Sequence, residues 1–563
     1  MSTGAAGTAD DQFDELRAEV EEYEGGLDEA FPDVGLGWEA EKADQWEEFA
    51  DRLSDVDRSQ LSDHAQADYD VLERELEFRI KRYDYQIHLM PVNHEGGPHS
   101  AYVRYPSQHS FEELDDYERY LHRLEHADEY FDEARTLLIE GIERGFTPPR
   151  SVLHGHGEMI ESYLVDDSTE STLYEPFEEM PATIDETDRE RLRDAATAAI
   201  TDAALPALEQ FRTFLVDEYI PETRETTAYA DLPDGEAYYE HLVRYYTTLD
   251  VTPDDVHQTG LEEVERIREE MLEVIDDAGF EGNFDEFVEF LRNDPQFYPD
   301  SEEELLGEAK AVAKDVDGRL PSLFTLDAMP TRPYGVEPVP EDIAPSYTSG
   351  RYVSNPTESD SGTFWLNTYG LDSRPLYALP ALFLHEAVPG HHHQIAHTTE
   401  NEKVSEFRRD NLVNAYIEGW ALYAERLGLE LDVYETPYEQ FGRLSNEMWR
   451  ACRLVVDTGI HTKGWSPEKA REFMAENTAL SMHNVRTEVD RYVAWPGQSL
   501  AYKMGEIKVR DLRREAEDEL GAQFDVRAFH ETFLESGPVP LPTLAANVRE
   551  WIDGFERDTS TEQ

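Results

Sequence analysis

Twenty-five residues in the second half of the chain, Leu376–Glu400 (LYALPALFLHEAVPGHHHQIAHTTE), limit what this sequence can become more than any other feature. The stretch holds five histidines (His385, His391, His392, His393 and His397), two acids (Glu386 and Glu400) and no lysine or arginine. Across all 563 residues Asp and Glu number 124 against 49 Lys and Arg, a formal net charge of −75, so about five acids would be expected in a window of this length. A window so poor in charge, inside so acidic a chain, is expected to be buried or to line a cleft. Its apolar run Leu379–Leu384, with Pro380 near the start, predicts a buried helix that carries His385 and Glu386.

A His-Glu pair on a buried helix is half of the H-E-x-x-H zinc signature. There two histidines four residues apart bind the ion on one helix face, and the glutamate acts as base on the bound water. Here the position four after His385 is Pro389, and the next histidines come six and seven residues on, at His391 and His392. On an ideal helix the sixth residue lies about 240° round, and the seventh about 10.5 Å along, so neither suits an unbroken helix. Pro389-Gly390 is where a kink or π-type bulge is expected. A bulge absorbing two residues would favour His391 over His392 as the second ligand. A third ligand is expected from the helix NLVNAYIEGWALYAERLG, residues 411–428. Glu418 lies there beside an apolar and aromatic stripe, with Glu425 as the alternative two turns later.

The acid load argues against nucleic-acid binding, which needs a basic surface. The acids are spread along the chain without EF-hand spacing, and nine lysines stand against forty arginines. This composition predicts a halophilic source, where salt screens the self-repulsion. With 29 Tyr, 25 Phe and 8 Trp the chain is too aromatic for disorder. A single cysteine, Cys452, excludes an intrachain disulfide. The first ten residues lack the basic and apolar regions of a signal peptide, and no window approaches 18 uncharged apolar residues. The expected location is the cytoplasm, with no membrane partner.

The periodicity is helical almost throughout. Helices are predicted over 68–87, over 111–144 as one or two helices capped by Ser110, and over 187–219, 234–248, 252–278 and 301–316. Thr252 is a cap with Pro253 at the first helical position. Between 325 and 373 Pro and Gly cluster, and Ser349–Val353 and Gly362–Thr368 read as strands of a small sheet. The expected organisation is a flexible tail over 1–10 and a single large helical domain over 11–563. That domain has an N-terminal helical lobe over about 11–324, a β element over about 325–373 and a catalytic helical lobe over about 374–557.

Three segments resemble the family of domain of unknown function 885. They are His385–Gln394 (HEAVPGHHHQ), Tyr416–Glu425 (YIEGWALYAE) and Tyr492–Gly505 (YVAWPGQSLAYKMG), with weaker echoes at Tyr238–Gly260 and Arg453–Gly464. His393 departs from the family pattern, which has an apolar residue there. The resemblance implies a mostly α, elongated, two-lobed metallopeptidase-like fold (gluzincin- or oligopeptidase-like) with a small β-sheet beside the active-site cleft. It implies His385, His391 and Glu418 as ligands of one Zn²⁺ ion and Glu386 as general base. Helical zinc peptidases of this kind place their oxyanion donors downstream, which points to Tyr502, then to Tyr492 and His461.

The expected activity is that of a zinc-dependent hydrolase acting on peptides. The strand Thr363–Asn367 is expected to offer an edge for an extended peptide, with Asn367 among the substrate contacts. Arg486 or Arg491 is expected to receive a substrate carboxylate. Two other readings are an amide or ester hydrolase of small metabolites with the same chemistry, and a binding or scaffold protein with a structural metal. The scaffold would close the site with a fourth ligand such as His392 or Glu425.

Overall fold

Capping and periodicity translate into helices close to the predicted bounds in the computed structural model, which describes residues 9–27, 31–341, 343–354 and 361–561. The expected tail lies outside the described residues apart from Ala9 and Asp10, which open the helix Ala9–Leu27. Helices form over Asp63–Asp84, Gly235–Thr247 and Glu302–Arg319. The 111–144 segment is two helices, Leu114–Glu125 and Ala127–Arg144. Ser110 is not the cap: the first helix starts at Leu114, where Asp116 accepts the N–H groups of Glu112 and Glu113. The helix that begins at Glu186 continues to Glu222 through two π turns, Ile200–Ala204 and Leu215–Tyr219, near Pro206 and Pro221, which lack the N–H an α-helix needs.

The chain forms two compact units. One runs to Asp57 and resumes over Glu75–Tyr238; the other comprises Arg58–Arg74 and Tyr239–Gln563. The small sheet and the helices that follow it lie in the second unit together with the helices from Tyr239 onward. The first unit has an aromatic core in which Tyr102, Tyr117, Tyr120 and Tyr130 are buried. The Arg123 guanidinium lies 4.3 Å from the Tyr105 ring centre and is paired to Asp33 at 2.8 Å.

The second unit holds every candidate site residue. Its first long helix, α1 (Pro253–Asp277), is capped by the Thr252 hydroxyl with a reciprocal bond from Asp255, as the sequence predicts. Three strands follow: β1 (Tyr334–Pro338), β2 (Gly350–Val353) and β3 (Gly362–Leu366), in the order β1-β3-β2. β3 pairs parallel with β1 and antiparallel with β2. β3 is therefore the central strand, and its alternating burial follows from that position. The expected peptide-accepting edge at Thr363–Asn367 does not exist, because both sides of the strand are already paired.

Six helices complete the frame: α2 (Leu379–Glu386), α3 (His391–Glu400), α4 (Asn414–Leu427), α5 (Pro437–Lys463), α6 (Met482–Ala494) and α7 (Leu500–Leu520). α1 lies along α5, where a Cβ on Gly260 would stand 2.7 Å from the Leu454 side chain. α4 and α7 approach still more closely. A Cβ on Gly419 would meet the Gly505 Cα at 2.6 Å, so glycine on both sides lets the backbones touch. Among the described residues no helix is long and apolar enough to cross a membrane.

Candidate metal centre

The site begins with the break between α2 and α3. His385 and Glu386 end α2, and His391 is the first residue of α3. The expected bulge within a continuous helix is a full interruption over Ala387–Gly390. Gly390 passes so close to the end of α2 that a Cβ there would lie 2.0 Å from the His385 carbonyl oxygen. This fold-back sets the His385 and His391 rings at right angles, 4.8 Å between centroids. The Trp420 indole N–H in α4 donates to the Pro389 carbonyl at 2.7 Å and pins the interruption to the neighbouring helix.

Glu418 projects from α4 to the same point. Its Oε2 lies 3.5 Å from His385 Nε2 and 3.4 Å from His391 Nε2. Two atoms each bound to a tetrahedral zinc at about 2.0–2.1 Å are roughly 3.4 Å apart, so the spacing suits one shared ion. Glu418 Oε2 is buried and has no hydrogen-bond partner, which is the condition of a ligand atom aimed at a cation. His385, His391 and Glu418 offer three ligand atoms within 4.8 Å of one another. Burial alone would raise the Glu418 pKa, but the charges of the facing His391 and His385 rings hold it well below the usual carboxylate range. Burial disfavours protonation of His385, yet Glu418 and Glu425 outweigh it and lift its pKa to about 9.

Glu425 is not a ligand in this arrangement. It stands behind His385 and accepts its Nδ1–H at 2.9 Å, which leaves Nε2 to face Glu418. Arg450 lies 3.6 Å from the same Glu425 oxygen. His392 also points elsewhere: Nδ1 meets the Tyr352 hydroxyl and Nε2 the Arg332 carbonyl, both at 3.2 Å. Burial pushes His392 down to about 4 and His393, bonded to the Ala328 carbonyl, to about 3, so both are neutral near pH 7.

Glu386 is nearly buried, and its Oε2 accepts the Tyr352 N–H at 2.8 Å. Tyr352 thus holds the candidate base with its backbone and touches His392 with its hydroxyl. Gly362 in β3 leaves room for that hydroxyl, since a Cβ there would lie 2.1 Å from it.

The other expected contacts divide. Tyr502 lies one turn before the Gly419–Gly505 crossing, within electrostatic reach of Glu418. Burial and then the Glu418 charge raise its pKa, while Arg453, Arg491 and Gln498 act in the opposite direction. Tyr492 is not available: its hydroxyl donates to Glu488 at 2.7 Å and accepts from Trp449 and Arg453 at 3.1 and 3.0 Å. His461 is fully buried, with Nε2 2.9 Å from the Tyr492 carbonyl, and is a structural residue of α5. Arg486 lies on the exposed face of α6. Asn367 has spent its amide on the carbonyls of Ala344, Tyr347 and Thr348 and on the Tyr369 N–H, so it shapes a loop.

Sequence reasoning missed Tyr352, Arg450 and Arg453. The two arginines had a signal: they sit in the run WRACRLVVDTG of α5, where charge among apolar residues marks buried ion pairing. A second acidic group, Glu263, Glu447 and Glu506, converges as well. Its centre is taken by the Lys503 ammonium, at 2.9, 2.8 and 2.9 Å from the three carboxylates.

Fold and site together define a mostly helical protein with a His-His-Glu cluster set between a broken helix and its neighbour. The chain belongs to DUF885, the bacterial protein family of unknown function, whose model matches residues 19–548. It is similar to the crystal structure of the "putative lipoprotein from Colwellia psychrerythraea", at 27% identity and a TM-score of 0.81 over 92% of each chain. It shares its fold with "a putative lipoprotein of unknown function from Shewanella oneidensis", at 17% identity and a TM-score of 0.79, covering 96% of this chain and 99% of that one. No functionally curated protein matches the sequence.

Proposed function

We propose that this protein is a metal-dependent hydrolase, a zinc peptidase, in which His385, His391 and Glu418 hold the ion and Glu386 is the general base. The observation that carries the reading is the buried, unpartnered Glu418 oxygen 3.5 and 3.4 Å from two imidazole nitrogens, with Glu386 next in sequence to one of them. A bound zinc ion would supply a Lewis acid and a water acidic enough to lose a proton near neutral pH. Glu386 would be the group that accepts a proton from such a water and passes it to the leaving nitrogen. The Tyr352 N–H keeps the Glu386 carboxylate oriented. Tyr502, kept protonated by its raised pKa, donates to the oxygen that gains negative charge. Glu425 fixes the tautomer of His385.

A closed structural site is the weaker reading, because the two candidates for a fourth ligand, His392 and Glu425, are engaged elsewhere. We extend the proposal to a gluzincin-like fold, for which the support is the mostly helical body and the three-stranded sheet. We also propose a halophilic, cytoplasmic protein. The lipoprotein names belong to the two similar proteins, and cell fractionation of the native host checks the location.

The deciding experiment is metal analysis of protein purified in high salt, with cleavage assayed on peptides and on acylated small molecules. One zinc per chain and peptide cleavage are expected, and Glu386→Gln is expected to keep the metal and lose the activity. A chain that binds no divalent ion ends this reading.

A further inference from the structure

Acids outnumber bases more than two to one in this chain, yet two arginines gather beside Tyr502 on one carboxylate. Arg453 and Arg491 share a single carboxylate oxygen, Glu488 Oε2, each at 3.1 Å. Arg453 is 3% exposed, lies between the Trp449 and Tyr502 rings at 4.3 and 4.4 Å, and has a buried Nη1 without a hydrogen-bond partner. A buried cation left short of partners costs free energy unless it serves a ligand. Arg491 is the member that meets solvent: its side chain is 21% exposed, and its guanidinium is oriented by Gln498 at 2.7 Å as well as by Glu488. Tyr502 lies within the electrostatic reach of both these arginines and Glu418. The pair is tied to the cluster through α7: the Arg453 guanidinium lies 4.4 Å from the Tyr502 ring centre, and Tyr502 is one turn before Gly505, which packs against Gly419 beside Glu418.

We propose that Arg491, backed by Arg453, is the receptor for the C-terminal carboxylate of a peptide, so that the protein works at free C-termini. A guanidinium held by two side chains with part of its surface open is suited to a carboxylate. The buried second cation offsets the repulsion that the acidic chain exerts on an anion. The inference rests on the proposed hydrolytic centre only for where the peptide would be cut.

The test is binding, read by calorimetry in high KCl on full-length, zinc-loaded Glu386→Gln protein. The probes are N-acetyl-dialanine and its C-terminal amide. The acid is expected to bind about tenfold more tightly than the amide, as one charge-assisted contact would give. Arg491→Gln is expected to bring the acid down to the amide, Arg491→Lys to keep part of the preference, and Arg486→Gln to keep all of it. Equal affinities, no binding of the acid, or a preference that survives in Arg491→Gln overturns the proposal. If Arg491→Gln does not fold, the acid–amide comparison in the parent and in Arg491→Lys decides. Equal cleavage of acid and amide by the unmutated protein leaves the hydrolase standing without the receptor. A preference for the acid without any cleavage leaves the receptor without the hydrolase.

Discussion

His385 donates its Nδ1–H to Glu425, 2.9 Å away, and so presents Nε2 to Glu418. A histidine anchored in this way is a better and better-aimed ligand than a free one. Glu425→Gln keeps the shape and removes the charge, so zinc affinity is expected to fall about 10- to 100-fold with the fold retained. Competition with a chromophoric chelator measures it, and unchanged affinity would remove Glu425 from the site.

His391 and His392 are neighbours with opposite fates. His391→Ala is expected to abolish stoichiometric zinc, whereas His392→Ala is expected to leave about one ion per chain, because the His392 ring is bonded to Tyr352 and Arg332. Elemental analysis of the two variants decides. The reverse result would move the second ligand to His392.

The metal-free chain should depend on pH through His385. Its folded pKa is raised from 6.5 to about 9, so its contribution to stability is complete below about pH 6.5 and is lost as the pH rises through 9. The loss is of order a few kcal/mol. Urea unfolding of chelator-treated protein between pH 6 and 9.5 tests the sign. Zinc-loaded protein, in which Nε2 no longer carries a proton, should not show the same loss.

Gly419 and Gly505 leave no room for a methyl group between α4 and α7. Gly419→Ala is expected to destabilise by about 1–3 kcal/mol through overpacking. It should also weaken metal binding, because Glu418 is the adjacent residue. A variant of parental stability and affinity would show that the helices can part at little cost.

The net charge of −75 predicts a salt requirement. Exposed carboxylates repel over about 10 Å at 0.1 M salt and about 3 Å at 1 M. Thermal unfolding is therefore expected at markedly lower temperature in dilute buffer than in molar KCl, and a salt-independent transition would contradict it.

Much of the helical frame was legible in the chain. Thr252 before Pro253 marked the start of α1, and the Pro-Gly cluster after residue 325 marked the sheet. The charge-poor window around His385 announced its own burial. The errors share a cause. Strand order is set by pairing between distant segments, so nothing local told that β3 is central or that Asn367 closes a loop. Tyr492 and His461 have the right chemistry in the right segment, but Glu488, Arg453 and Trp449 claim the Tyr492 hydroxyl, and its backbone carbonyl meets His461.

By itself the sequence determined which side chains are rich enough in ligand chemistry to matter, since residue type, helical spacing and local charge density are written along one dimension. Only the tertiary structure decided what each of them faces. The interruption at Gly390 turned His391 toward His385 and His392 away from it, and the contact of Gly419 with Gly505 brought Tyr502 within electrostatic reach of Glu418. Such choices depend on a few ångströms between backbones far apart in the chain, and steric fit and burial, not local propensity, select among them.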